Sequence, residues 1–597
     1  FQQVRINGLD GPYTQILLDS RPIFSALSGV YGIEQIPASM IERVEVMRGG
    51  GSALFGSSAI AGTINIITKE PMRNSGMLSH TITGIGDGDV FDNSTALNAS
   101  LVTDDQRAGL YIFGQNRHRS AYDHDGDGYS EIPKLHGQTI GFRSFLKTTT
   151  YSKLTFEYHH MEEFRRGGDL LNRPPHEANV AEQTEHSING GGLKFDYFSP
   201  NENHRFNVFA SAQHINRDSY YGPGDRDPLD AYGNTTDLNW MAGSQYVYSF
   251  GKCIFMPSDL TAGIEFNQDK LEDNMWGYNR TVDQKVNIGS AFLQNEWKND
   301  HWGFLIGGRL DKHNLIDHVI FSPRANLRYN PTENINLRFS YSSGFRAPQA
   351  FDEDLHVENV GGNVAMVELA DNLKEERSQS LSASADIYHR FGAFQVNFLV
   401  EGFYTKLSDV FALTDGEVVD GILTRTRHNA SGAQVLGLTL EGKMAYLNKI
   451  QVQAGVTLQQ SHYSKPHIWN KEAPAVKKMM RTPNTYGYFT ATYTPIKPLS
   501  IALSGTYTGS MLVPHEPVPG FLENPITVNT KDFFDIGLKA AYDFKLYKSM
   551  NLQLNAGIQN IFNAYQDDFD KGADRDSGYI YGPSLPRSFF AGVKISY

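Results

Sequence analysis

From Asp535 to Leu546 the chain alternates with a period of two: Ile536, Leu538, Ala540, Tyr542, Phe544 and Leu546 fall between Asp535, Gly537, Lys539, Ala541, Asp543 and Lys545. That period sends each set to its own face of a β-strand. Residues 551–560 repeat it, with Leu552, Leu554, Ala556 and Ile558 against Asn551, Gln553, Asn555 and Gln559. The last strand sets Phe589, Ala591, Val593, Ile595 and Tyr597 against Gly592, Lys594 and Ser596. No stretch approaches about 18 consecutive apolar residues, the length a membrane-crossing helix needs. A closed β-barrel is the spanning structure that remains, because it leaves no backbone group unpaired in lipid. Its strands put apolar residues outward and polar residues inward over about ten positions, and inward Lys539 and Asp543 suit a polar lumen. A soluble sandwich also alternates, but it buries its apolar face and rarely keeps the pattern through so many hairpins. The expected class is all-β and transmembrane.

Composition excludes other classes. A net charge of −13 opposes binding to nucleic acid, whose phosphates it would repel. A single cysteine, Cys253, rules out an intramolecular disulfide framework, and an inert buried thiol is expected there. The connections differ in character. Thr103-Asp104-Asp105-Gln106 and Asn330-Pro331-Thr332-Glu333 are tight and polar, as periplasmic turns are; segments near 118–137, 162–190, 217–238, 347–377, 461–484, 509–531 and 563–586 are long and rich in Gly, Asp, Pro and Tyr, as outer loops are.

The first 72 residues read differently. Residues 34–71, EQIPASMIERVEVMRGGGSALFGSSAIAGTINIITKEP, form a βαβ-like unit around Val44–Met47 and Thr63–Thr68, with turns expected at Gly49, Gly50, Gly51, Gly56 and Gly62. Arg43, Glu45 and Arg48 are expected to share one face of a strand and to meet charges of the barrel wall. Gly49-Gly50-Gly51-Ser52 lacks the Gly-Lys-Ser/Thr of a phosphate loop. No nucleophile–base spacing points to an enzyme. The domains expected are an α+β plug over 1–72 and a barrel over 73–597.

Asp123, Asp125, Asp127 and Glu131 stand at positions 1, 3, 5 and 9 of a calcium loop, with Gly128 at position 6 allowing the sharp turn. Lys134 occupies the place of the closing bidentate glutamate, so a second loop is expected to complete the shell, with Asp225, Asp227 and Asp230 as candidates. The acidic run Asp567, Asp568, Asp570, Asp574 and Asp576 reads as a solvated loop. Tyr220, Tyr221 and Tyr232 are candidate contacts for a sandwiched small ligand.

Thr14–Ile23, Ile33–Pro71, QNIFNAYQDD at Gln559–Asp568 and the terminal aromatic Tyr597 resemble the TonB-dependent outer-membrane receptors. That resemblance implies a barrel of 22 strands closed by a plug, in the outer membrane of a Gram-negative bacterium. It also implies import of a scarce nutrient, powered by the TonB energy-coupling complex of the inner membrane. The first half of the plug, its TonB box and a signal peptide are expected upstream of Phe1. The calcium loop and the length resemble the cobalamin receptors of the family, and gut-bacterial members imply a surface lipoprotein as a further partner. A heme reading competes. Phe345-Arg346-Ala347-Pro348, then His356, then Asp371-Asn372-Leu373 resembles the heme-receptor pattern, although the second box lacks its proline. His356 and Arg346 are the ligand candidates on that reading; His462, His467 and His515 lie in other long loops. Ferric siderophores are a third cargo, and a passive porin is the rival class, although porins need no plug.

Overall fold

The computed structural model describes all residues except 1–4, 10, 22–35, 87, 89, 224–231, 277–279, 349–363 and 420–421. The plug holds a three-stranded sheet, β1 (Thr14–Leu18), β2 (Ile41–Arg48) and β3 (Gly62–Thr68), in the order β1-β3-β2. The central position falls to β3, whose run GTINIIT buries side chains on both faces. β3 runs parallel to β1 and antiparallel to β2. The expected βαβ unit is therefore a strand–helical turn–strand return, with only Ser52–Phe55 helical between β2 and β3. That connection is too short for a parallel crossover. Gly49 (φ 81°) and Gly56 (φ 80°) take the left-handed conformations expected of them. Gly62 is needed for space instead, because a Cβ there would lie 2.4 Å from the Met47 carbonyl oxygen.

Around the plug closes an antiparallel barrel of 22 strands, with the three-residue piece Val476–Lys478 as an added pairing. The first wall strand, Ser75–Ile85, pairs with the last, Ser588–Ser596. Leu538, Tyr542, Phe544, Leu554, Phe589 and Val593 stay exposed on the outer wall, where lipid covers them. Aromatic pairs cluster near the short turns, Trp302 on Tyr329 at 4.2 Å and Phe394 on Tyr446 at 4.5 Å, as an interfacial girdle. Cys253 ends one of these strands half-buried rather than buried. The turn to Met256 leaves it at the rim, where its carbonyl accepts from Trp297 Nε1 at 3.0 Å.

The outer loops at 162–190 and 217–238 are shorter than expected. Strands Ser152–Gly168 and Tyr232–Cys253 run for 17 and 22 residues, well past the ten or so a membrane needs, so one side of the wall continues outward as sheet. A loop not read from the sequence, near 409–432, folds with Val364–Leu369 into a small separate sheet.

Candidate functional site

The outer mouth is organised by the loop between strands Ala108–Arg119 and Ser130–Thr149. Asp123 holds this loop's turn by accepting from the N–H groups of Gly126 and Gly128, both at 2.8 Å. Carboxylate oxygens of Asp123, Asp125 and Glu131 come within 4.8 Å of one another. One Asp125 oxygen is buried with no hydrogen-bond partner, and Lys571 Nζ stands 3.6 Å from it. Hard carboxylate oxygens at this spacing fit calcium.

Asp127 turns away from that cluster. It accepts from the N–H of Gly572 at 2.7 Å and pairs with Arg575, whose other nitrogen donates to Glu131 at 2.7 Å. The second loop that reaches the site is thus 560–587, while Asp225, Asp227 and Asp230 lie outside the described residues. Burial pushes the Asp127 carboxyl up, but the N–H groups of Gly572 and Tyr129 and the Arg575 guanidinium more than offset it and hold it below the usual range. For Glu131 burial wins over the His124 N–H and Arg575, and its carboxyl is raised. Between the two loops His124 sits in an aromatic cage, 4.8 Å from Tyr565 and 5.7 Å from Phe569.

Loop 560–587 is also pinned on its other side. His515 stacks on Tyr579 at 3.8 Å and hydrogen-bonds Asp570 at 2.9 Å; Arg481 donates to the Ile580 carbonyl at 2.9 Å. Asp570 and Asp576 are therefore buried, not solvated as their acidic run suggests. Burial raises the Asp576 carboxyl. His515 is held by this packing, and no local sequence pattern announces it.

The ligand candidates fall in different places. Tyr220 and Tyr221 are buried in a cluster with Ala178, Ala181 and Met275, and Tyr232 packs edge-on against Tyr220 at 4.9 Å. His176 bonds the Tyr232 hydroxyl at 2.7 Å. His356 lies outside the described residues. Arg346 is buried against the plug: it pairs with Glu376 at 3.4 Å and lies over the rings of Tyr13 and Phe411. The Tyr13 hydroxyl donates to that same Glu376 at 2.9 Å. Arg346 thus joins plug to wall instead of facing the mouth.

The plug charges also divide. Arg48 donates to Glu401 at 2.9 Å and to Glu441 at 2.6 Å, both on the barrel wall. Arg43 and Glu45 pair with each other at 2.8 Å inside β2. The expected common face is wrong for Arg48, which is three residues from Glu45 and so projects from the opposite side of the strand. On another wall Arg143 donates to Asp19 of the plug at 2.5 Å, beside the Arg21–Glu157 pair.

Two family models match, "TonB dependent receptor-like, beta-barrel" over 76–561 and "TonB-dependent Receptor Plug Domain" over 1–63. The chain is 26% identical over 385 residues to the iron-regulated outer membrane virulence protein of Vibrio cholerae serotype O1, covering 60% of this chain and 54% of that protein. It is 23% identical over 362 residues to the vitamin B12 transporter BtuB of Vibrio vulnificus, covering 58% of this chain and 54% of BtuB. The chain spans about half the length of these curated relatives. The solved siderophore receptor PirA from Acinetobacter baumannii superposes with a TM-score of 0.78 at 17% identity, over 100% of this chain and 92% of PirA. The family is one of transport receptors rather than enzymes, and its barrels lie in the outer membrane of Gram-negative bacteria. With a matched wall, a matched plug and a closed barrel around them, the chain belongs to the TonB-dependent receptor family.

Proposed function

We propose that this protein imports a small scarce nutrient across the outer membrane, coupled to the TonB complex of the inner membrane, and that its cargo is cobalamin or a related corrinoid. The observation that carries import is the plug sheet held inside a closed wall by separate ion pairs, Arg48 with Glu401 and Glu441 and Arg143 with Asp19. A passive porin has no use for such a stopper. Corrinoid cargo is supported by the likeness to BtuB and by the acidic outer loop.

On this reading calcium is held by Asp123, Asp125 and Glu131, while Asp127 stays with Arg575. The ion would order loop 120–129 before cargo arrives and so lower the entropic cost of binding. Ferric siderophore is the second reading, favoured by the whole-length likeness to PirA. Absorbance titrations of the purified protein with cyanocobalamin, hemin and a ferric catecholate separate these cargoes. Saturable binding of cyanocobalamin, weakened by EDTA and by Asp125→Ala, is expected. Tight hemin binding abolished by His356→Ala, or tight binding of the catecholate alone, contradicts the corrinoid reading.

A further inference from the structure

The plug meets its wall through surfaces of different kinds. Ile6, Leu9 and Ile60 pack on Phe403, Leu407 and Val435, and Met40 and Ile66 pack on Tyr111 and Phe113. Parting either surface exposes apolar area to water, at a cost that grows with the area.

Between them the turn Gly49–Gly51 faces a polar strip of the wall, rich in hydroxyls and bordered by Arg324, Asn326 and Glu401. In strands Ile335–Arg346 and Glu376–Phe391, Ser340 and Ser342 stand opposite Ser382 and Ser380. Ser380 Oγ lies 3.0 Å from Thr405 Oγ1 on the next strand. A cavity of about 110 Å³ separates this strip from the plug, enough for several waters. Gly50 passes close to the wall, since a Cβ there would lie 3.1 Å from Ser342 Oγ. Exchanging hydroxyl–hydroxyl contacts for hydroxyl–water contacts is nearly neutral. The bonds that cross near the strip are polar too: Ser58 N–H to the Phe345 carbonyl at 2.9 Å, Phe345 N–H to Ser52 Oγ at 3.2 Å, and the Arg48 pairs.

We infer that the passage through this receptor opens along the serine strip, between the Gly49–Gly51 turn and strands Ile335–Arg346 and Glu376–Phe391, while the two apolar surfaces stay closed. A polar cargo then slides past serines too short to obstruct it, with Arg324, Asn326 and Glu401 beside them to exchange hydrogen bonds with it. This inference rests on the import reading and adds the route to it.

Single cysteines in a Cys253→Ser background of the full receptor test the route. Cells are energised, supplied with cyanocobalamin and treated with a membrane-impermeant maleimide. Labelling of Ser342→Cys should rise several-fold over cells treated with a protonophore, whereas Val435→Cys and Phe113→Cys should stay flat. Oxidation of the pair Gly50→Cys and Ser342→Cys to a disulfide should arrest uptake, and a reductant should restore it, which shows that the variant is folded. A flat Ser342→Cys while uptake proceeds, an equal rise at Val435→Cys or Phe113→Cys, or undiminished uptake with the disulfide formed overturns the route. Absence of uptake in the parent receptor instead overturns the import reading, and the route falls with it.

Discussion

Arg575 and Glu131 stand 444 positions apart in the sequence, yet the guanidinium donates to the carboxylate at 2.7 Å. The last outer loop is thereby bolted to the acidic loop by a cation that the chain itself supplies. Calcium at Asp123, Asp125 and Glu131 would share Glu131 with that guanidinium.

Removing the competing cation should strengthen calcium binding. Arg575→Ala is expected to tighten calcium by about tenfold, the equivalent of about 1.4 kcal/mol. Without calcium the same variant should expose loop 560–587 to limited proteolysis. Titration calorimetry checks the first expectation, and unchanged affinity would show that Arg575 and the ion do not compete.

The two carboxyls respond oppositely to pH. The Asp127 carboxyl is depressed below 3.8, so its clasp with Arg575 is intact above its unfolded value and is lost as pH falls through the lower folded one. The Glu131 carboxyl is raised above 4.5, so the loop without calcium is most stable below that value and loses the contribution as pH climbs through the raised one. Calcium held by Glu131 would need its charged form, and its affinity should therefore rise as pH climbs through that raised value. Calcium titrations below and above it test the sign.

Glu376 is buried among Tyr13, Arg346 and the Phe411 N–H. Glu376→Ala leaves a buried guanidinium and a tyrosine hydroxyl without this partner, at a cost of about 3–5 kcal/mol. The expected result is a lower unfolding temperature together with leak conductance in planar bilayers. Loss of cargo affinity from a barrel that stays closed would mean that this group serves the ligand rather than the plug.

Arg48 is about a third exposed, at 32% for its side chain. Arg48→Ala should therefore cost only about 1 kcal/mol, and less in high salt. A double-mutant cycle with Glu441→Ala measures the pair; a coupling of several kcal/mol would contradict a hydrated, releasable tie.

The alternation in 535–546 made the wall legible, because a period of two survives in the sequence wherever one face meets lipid. The same period, applied strictly, separates Arg48 from Arg43 and Glu45 and puts it on the opposite side of the strand. The turn of the acidic loop was readable because Asp123 and Gly128 act within six residues. Arg575 was not, since its partners come from a loop near the other end of the chain and no local spacing encodes them. His515 and Asp570 were hidden for the same reason. The burial of Arg346 follows from the plug, whose contact with the wall leaves no periodic trace.

Energised import is read out by the uptake of labelled cyanocobalamin. Cells that depend on this receptor should accumulate the label against a gradient and stop when a protonophore or loss of TonB removes the energy. Accumulation that continues unchanged without the proton gradient and TonB, or free conductance through the intact purified protein, would contradict it.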